Sequence, residues 1–166
     1  MPRIDVPDDL MSWMLLRPEL GAGMGAFSSA VYDKSSLPLR EREVARMRIA
    51  DANDCELCRN TRDEWGAANG VDDELYEHVL EWRTWPGYTE RERLAAEFAE
   101  RMALDHMAMK HDDDFWARLH GAFADDEIVD LGICCALWLG SGRLMSVLNV
   151  AQACSLTLHE GVAPPA

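Results

Sequence analysis

The segment EREVARMRIADANDCELCRNTRDEW, Glu41–Trp65, carries two cysteines, Cys55 and Cys58, two residues apart, and Glu43 lies twelve positions before the first of them. Such a pair serves as a redox centre, as half of a zinc site, or as two core thiols that happen to be close. Helical signals flank it. A helix over Leu39–Asp51 follows Pro38, and a second, Cys55–Asn69, ends at Gly70, a C-cap signal. A connection of about three residues makes the two helices antiparallel neighbours. At ~1.5 Å rise per residue, Glu43 and Arg62 each lie ~10 Å from the turn. Cys58 is one turn nearer to it than Arg62, on the same face. The expected constellation is therefore Glu43, Arg62 and Cys58 within reach of one another, Glu43 paired with Arg62, and Cys55 nearer the surface.

Working outward, helical patterns continue. They cover Asp8–Leu16, Glu19–Ser35, Asp72–Trp82, Thr89–Met109, Asp112–Phe123 and Asp125–Ala153. Thr89 and Glu92 form a capping-box pattern. Roughly eight helices with short connections, and no strand pattern, predict an all-α bundle in one domain over residues 1–166, with a frayed tail at Glu160–Ala166. LPLREREVA (Leu37–Ala45) echoes YTERERLAA (Tyr88–Ala96), which sets Glu43 opposite Leu94. Leu94, Phe98 and Met102 recur every four residues as a core face. Glu43 is thus expected to point inward, where a carboxylate needs a partner.

The 166 residues, 48% hydrophobic and 28% charged, suit a globular domain, and the formal charge of -14 disfavours nucleic acid and anionic membranes as partners. The longest apolar run, Leu131–Gly140, is about half of the ~20 residues a membrane span needs. The N-terminus has no apolar stretch of the kind found in signal peptides, so the expected compartment is the cytoplasm. There thiols stay reduced, and a CxxC is catalytic or metal-binding rather than a permanent staple.

A CxxC at a helix start has a use in redox chemistry. The helix N-terminus favours the thiolate, and the spacing permits a disulfide within one turn. A thiolate oxidised by peroxide to a sulfenic acid condenses with the second thiol. A structural zinc wants four ligands, normally from two such pairs, and this chain has one. Cys134 and Cys135 are adjacent in an apolar helix and read as core, as does Cys154. His106 and His111 are five apart, which does not place two ligands on one helix face. His78, His120 and His159 are isolated, and no Gly-rich phosphate loop occurs, so neither metal nor cofactor is expected. Trp65 and Trp138 are candidates to line a pocket beside the thiols.

RPEL, then SSLPLREREVARMRIADANDCELC, then FADDEIVDLGICCALWLGSGRLMSVLN together resemble the carboxymuconolactone decarboxylase / alkyl hydroperoxidase D superfamily, from about Arg17 to Asn149. Its motif is Glu, eleven residues, Cys, two residues, Cys, three residues, His. Glu43, Cys55 and Cys58 match it, and the final His falls on Arg62, a departure. The resemblance implies an all-helical trimer or hexamer acting as a thiol-dependent peroxidase or disulfide reductase. A hydroperoxide would be the substrate and a dithiol the reductant. By the same resemblance Cys58 is peroxidatic, Cys55 resolving and Glu43 the base. Arginine keeps its proton near neutrality, so Arg62 can hold a thiolate but cannot shuttle protons. Two alternatives stand beside this: an enzyme of the decarboxylase branch acting on a lactone acid, and a non-catalytic helical oligomer that binds a small ligand or partner.

Overall fold

The computed structural model describes residues 1–163. Among them nine α-helices carry the fold: α1 Ser12–Leu15, α2 Pro18–Lys34, α3 Leu39–Ala52, α4 Glu56–Arg59, α5 Asp73–Glu77, α6 Glu90–Leu104, α7 His106–Lys110, α8 Asp113–Ala122 and α9 Asp125–Leu148. The all-α expectation holds, with one local exception. Two three-residue strands, β1 Thr61–Asp63 and β2 Leu156–Leu158, pair in parallel, Arg62 beside Thr157.

Helix α3 is the centre. Its residues from Glu41 to Ala50 are all buried, and it packs on α6 and α9. A helix this polar can be central only because each charge finds a partner. Arg91 of α6 clasps Glu41, and Glu100 of α6 accepts from Arg48 at 2.6 Å. Arg42 donates to the carbonyl of Tyr32 in α2. Between the charges, Ala45 and Ile49 enter an apolar cluster with Leu94, Phe98, Leu131 and Trp138. The two echoing segments are thus the starts of a packed helix pair, and Glu43 is buried as expected. The Thr89–Glu92 capping box is present at the head of α6.

Several boundaries differ from the sequence expectation. The helix expected over Cys55–Asn69 is the single turn α4, followed by β1 and a short 3-10 turn Ala67–Asn69 that Gly70 closes at φ 70°. The element that draws Thr61–Asp63 into extended form is β2, which is remote in sequence and so invisible to local periodicity. Asp72–Trp82 breaks after Glu77, Thr89–Met109 breaks at Asp105, and α9 ends at Asn149 in the left-handed region. Of Asp8–Leu16 only Ser12–Leu15 is helical, its entry capped by the Asp9 carboxylate. At the expected frayed tail, Val162 accepts from the Trp65 indole and Gly161 donates to Glu64. The tail's last residues, 164–166, lie outside the described ones.

Helix α9 corrects the estimate of apolar length. Its 24 residues are long and apolar enough to cross a membrane by length and composition. One face packs inward through Leu131, Cys134, Cys135, Leu137, Trp138 and Met145, while Val129, Ile133, Leu144 and Val147 are exposed. Cys134 and Cys135 are core residues, as expected. Burial pushes the Cys134 thiol up to about 12, with the Asp130 carboxylate adding to the rise.

Candidate active site

The turn from α3 into the cysteines is built locally. Asn53 caps α3, and Asp54 takes a left-handed conformation (φ 50°) that aspartate tolerates better than most residues. Arg59 ties the turn together through Asp51, Asp54 and Glu56. Cys55 then occupies the N-cap of α4, its sulfur accepting from the Cys58 backbone N–H at 3.4 Å. Cys55 and Cys58 are joined as a disulfide with Cα atoms 5.3 Å apart. The expected order of exposure is reversed. Cys55 is fully buried against Leu57, Met145, Val150 and Ala151, and Cys58 is the partly exposed sulfur. The depth estimate failed because it assumed a long helix α4. With only one turn, Cys55 tucks under the α9 end and Cys58 faces outward.

Cys58 opens onto a cavity of about 280 Å³. Its walls come from α1 (Trp13, Met14), α2 (Met24, Tyr32), α3 (Arg46, Ile49) and α9 (Trp138, Met145), among others. The sequence expectation of a tryptophan near the thiols holds for Trp138. Trp65 instead stacks on His159, ring centroids 3.5 Å apart, and is not part of the wall.

The expected Glu43–Arg62 pair does not form. Arg46, one turn along the same helix, holds both oxygens of Glu43, Nε to Oε1 at 2.9 Å and Nη2 to Oε2 at 2.7 Å. Tyr76 donates its hydroxyl to Oε2 at 2.7 Å. Arg62, on β1 rather than a helix, bonds the carbonyls of Arg59 and Thr61 and lies 4.1 Å over the Tyr76 ring. Arg62 and Glu43 thus share Tyr76 without touching. Burial alone would raise the Glu43 carboxyl. The Arg46 guanidinium and the Tyr76 hydroxyl outweigh it and hold the group below the ordinary glutamate value.

Arg46 is the residue that sequence reasoning passed over. It is buried, lines the cavity, and donates to the carbonyls of Cys58 and Thr61. It therefore links the acid to the backbone of the cysteine turn. The i, i+3 spacing from Glu43 was a legible signal, masked by a charge-rich stretch that offers Glu43 several arginines. Asn53 and Gly142 were also missed. Asn53 donates to the Trp138 carbonyl and accepts from Arg143, which pins the turn to α9. A Cβ on Gly142 would meet Asn53 Nδ2 at 2.8 Å and the Cys58 sulfur at 3.1 Å. We expect Gly142→Ala to destabilise the fold by ~1–3 kcal/mol, as overpacking does, and to slow disulfide closure. Thermal unfolding of reduced and oxidised protein checks the first, and stopped-flow oxidation the second.

The sequence model of the carboxymuconolactone decarboxylase family matches residues 18–101, a span that holds Glu43, Arg46, both cysteines and Tyr76. No curated protein matches the chain. Among solved structures, a protein of unknown function from Agrobacterium tumefaciens, named as a candidate antioxidant defence protein AhpD, superposes with a TM-score of 0.73 at 20% identity, over 90% of this chain and 96% of that one. An uncharacterised peroxidase-related protein from a Silicibacter species gives 0.67 at 21% identity, over 83% of this chain and 72% of that one. At these identities the two structures establish a common fold. With the family match spanning half the sequence, the chain belongs to the carboxymuconolactone decarboxylase family.

Proposed function

We propose that the chain is a thiol-dependent oxidoreductase with an antioxidant role, reducing a hydroperoxide through Cys58 and Cys55. The observation that carries this is the asymmetry of the pair: a buried Cys55 bonded to a partly exposed Cys58 that faces a cavity. The Cys58 thiolate attacks the terminal oxygen of ROOH, the O–O bond breaks, and ROH leaves after taking a proton. Cys55 then displaces water from the sulfenic acid and forms the disulfide. An external dithiol takes back the two oxidising equivalents, a step that suits a reducing compartment such as the cytoplasm. The same exchange run on a disulfide substrate gives the reductase activity.

The roles of the other site residues follow from their contacts. Glu43 has three donors on its two oxygens and acts as a positioning residue through Arg46, rather than as a free base. Arg62 braces Tyr76. The decarboxylase alternative needs a site for an acidic substrate. Among the described residues Arg46 is the one charged residue lining the cavity, and Glu43 already matches its charge. A carboxylate there would lack a counter-charge.

Thiol titration before and after one equivalent of tert-butyl hydroperoxide tests the proposal. Two thiols should disappear, with a two-proton mass loss confined to the peptide holding Cys55 and Cys58. A pair that stays reduced while other cysteines oxidise overturns it, and stoichiometric zinc in the purified protein favours a metal site instead.

We further propose a homo-oligomer, trimeric or hexameric as the resemblance implies. Helix α2 buries only Val31 and exposes Leu20 and Phe27, with Leu15 and Leu16 beside it. The outer face of α9 adds Val129, Ile133 and Val147. Such an apolar surface is what self-association buries. Light scattering at micromolar concentration should return a multiple of 18.7 kDa, and a clean monomer overturns the assembly.

A further inference from the structure

Cleavage of the O–O bond expels an alkoxide, a far stronger base than any group that could be left behind, so the step needs an acid at the leaving oxygen. In the family motif that proton traffic runs through a histidine, and here Arg62 stands in its place, on Tyr76 rather than in the cavity. Apart from solvent water, a donor at that oxygen comes from the cavity wall. Arg46 does not release its proton. Among the described residues, four that carry a hydroxyl line the cavity: Ser28, Tyr32, Thr61 and Ser141. Thr61 is committed to the carbonyl of Leu57 at 2.8 Å, and Ser141 to that of Leu137 at 2.6 Å. Of the remaining two, a phenol is a much stronger acid than an alkanol.

We propose that Tyr32 is the catalytic acid, its hydroxyl delivering the proton to the alkoxide as the Cys58 sulfur takes the terminal oxygen. This rests on the peroxidase reading of the cavity. The balance is Cys58–S⁻ + ROOH + Tyr32–OH → Cys58–SOH + ROH + Tyr32–O⁻, after which the phenolate recovers a proton from water. The surroundings suit both states. Burial, with the nearby Glu43 carboxylate adding to it, keeps the phenol protonated before reaction, and the Arg46 guanidinium acts in the opposite sense, favouring the phenolate once formed. Trp138, also on the wall, turns its buried indole N–H toward the Tyr32 hydroxyl, which favours the phenolate as well. The position is fixed from behind, where Arg42 holds the Tyr32 carbonyl at 3.2 Å near the end of α2. Tyr76, the other tyrosine near the site, has its proton engaged by Glu43.

The test separates acid catalysis from packing by the leaving group. Tert-butyl hydroperoxide expels an alkoxide that requires a proton, whereas peracetic acid expels a carboxylate that does not. Single-turnover oxidation of reduced protein by each is followed by stopped flow at pH 6, in wild type, Tyr32→Phe and Ser28→Ala. Tyr32→Phe should lose about 10²–10⁴-fold with the hydroperoxide, the usual worth of a positioned acid, and keep its rate with the peracid within a few-fold. Equal loss with both reagents makes Tyr32 a packing residue and overturns the proposal. No loss with either, or a selective loss in Ser28→Ala instead, also overturns it. Wild type inert to both reagents sinks the peroxidase reading itself, a result distinct from any of these.

Discussion

Cys58→Ser should abolish hydroperoxide reduction, a loss on the order of 10³-fold or more, whereas Cys55→Ser should keep the first oxidation and lose only the turnover. The two cysteines differ in what can reach them. Cys58 is partly exposed and lines the 280 Å³ cavity, so a peroxide oxygen can approach its sulfur. Cys55 is sealed beneath Val150, Ala151 and Met145, and Cys58 is the sulfur bonded to it. In Cys55→Ser the sulfenic acid has no resolving thiol. One equivalent of hydroperoxide should be consumed, with a stable sulfenic acid at Cys58 that dimedone traps as a single adduct. In Cys58→Ser neither consumption nor adduct should appear. A dimedone adduct on Cys55 in that variant would reverse the assignment of attacking and resolving sulfur. Such a reversal would agree with the simple rule that the thiol nearest a helix start is the more reactive. That rule is weak here, because α4 is a single turn and has little dipole to offer.

The same short helix explains what the sequence could and could not disclose. Helical periodicity located α3, α6, α8 and α9 to within a few residues, because each buries a face against its neighbours, and α2 was bounded by Pro18 and the break before Pro38 although it buries only Val31. The motif spacing located Glu43, Cys55 and Cys58. What failed was the step from a helix pair to side-chain partners. That step assumed the chain stays helical past Asn60, and β1 forms instead because β2, almost a hundred residues on, lies beside it. No local pattern encodes that pairing. It moves Arg62 off the helix ladder, turns it onto Tyr76, and leaves Glu43 to Arg46. Gly142 was illegible for a similar reason. In sequence it is one glycine in an apolar helix, and only the packed structure shows the Cys58 sulfur and Asn53 against it.

Arg46→Leu should destabilise the fold by ~3–5 kcal/mol at neutral pH, the cost of leaving one member of a buried ion pair alone. Both side chains are 2% exposed, so solvent cannot take over the lost contacts. Replacing a buried pair by apolar groups is often harmless in other proteins, but Arg46 also satisfies the carbonyls of Cys58 and Thr61, and Glu43 accepts from Tyr76. An apolar swap of both would orphan the Cys58 carbonyl and the Tyr76 hydroxyl, and would leave the Thr61 carbonyl to Arg62 alone. The pH dependence provides the sharper check. In the wild type, the Glu43 carboxyl is held below its ordinary value of about 4.3. Its contribution to stability is therefore complete above that value and is lost as pH falls through it toward the folded-state value. In Arg46→Leu the guanidinium is gone and burial dominates, so the carboxyl rises above its ordinary value and its penalty fades as the group protonates. The stability gap between wild type and Arg46→Leu should therefore be widest near pH 7 and narrow as pH falls toward 4. Adding Glu43→Gln to Arg46→Leu removes the stranded charge, and should recover part of the loss at pH 7 and little of it at pH 4. Denaturant unfolding of reduced protein across that range measures all three, free of the disulfide. A gap that stays constant with pH would show that Arg46 supports the cysteine turn through its carbonyl contacts alone, with no part played by its charge on Glu43.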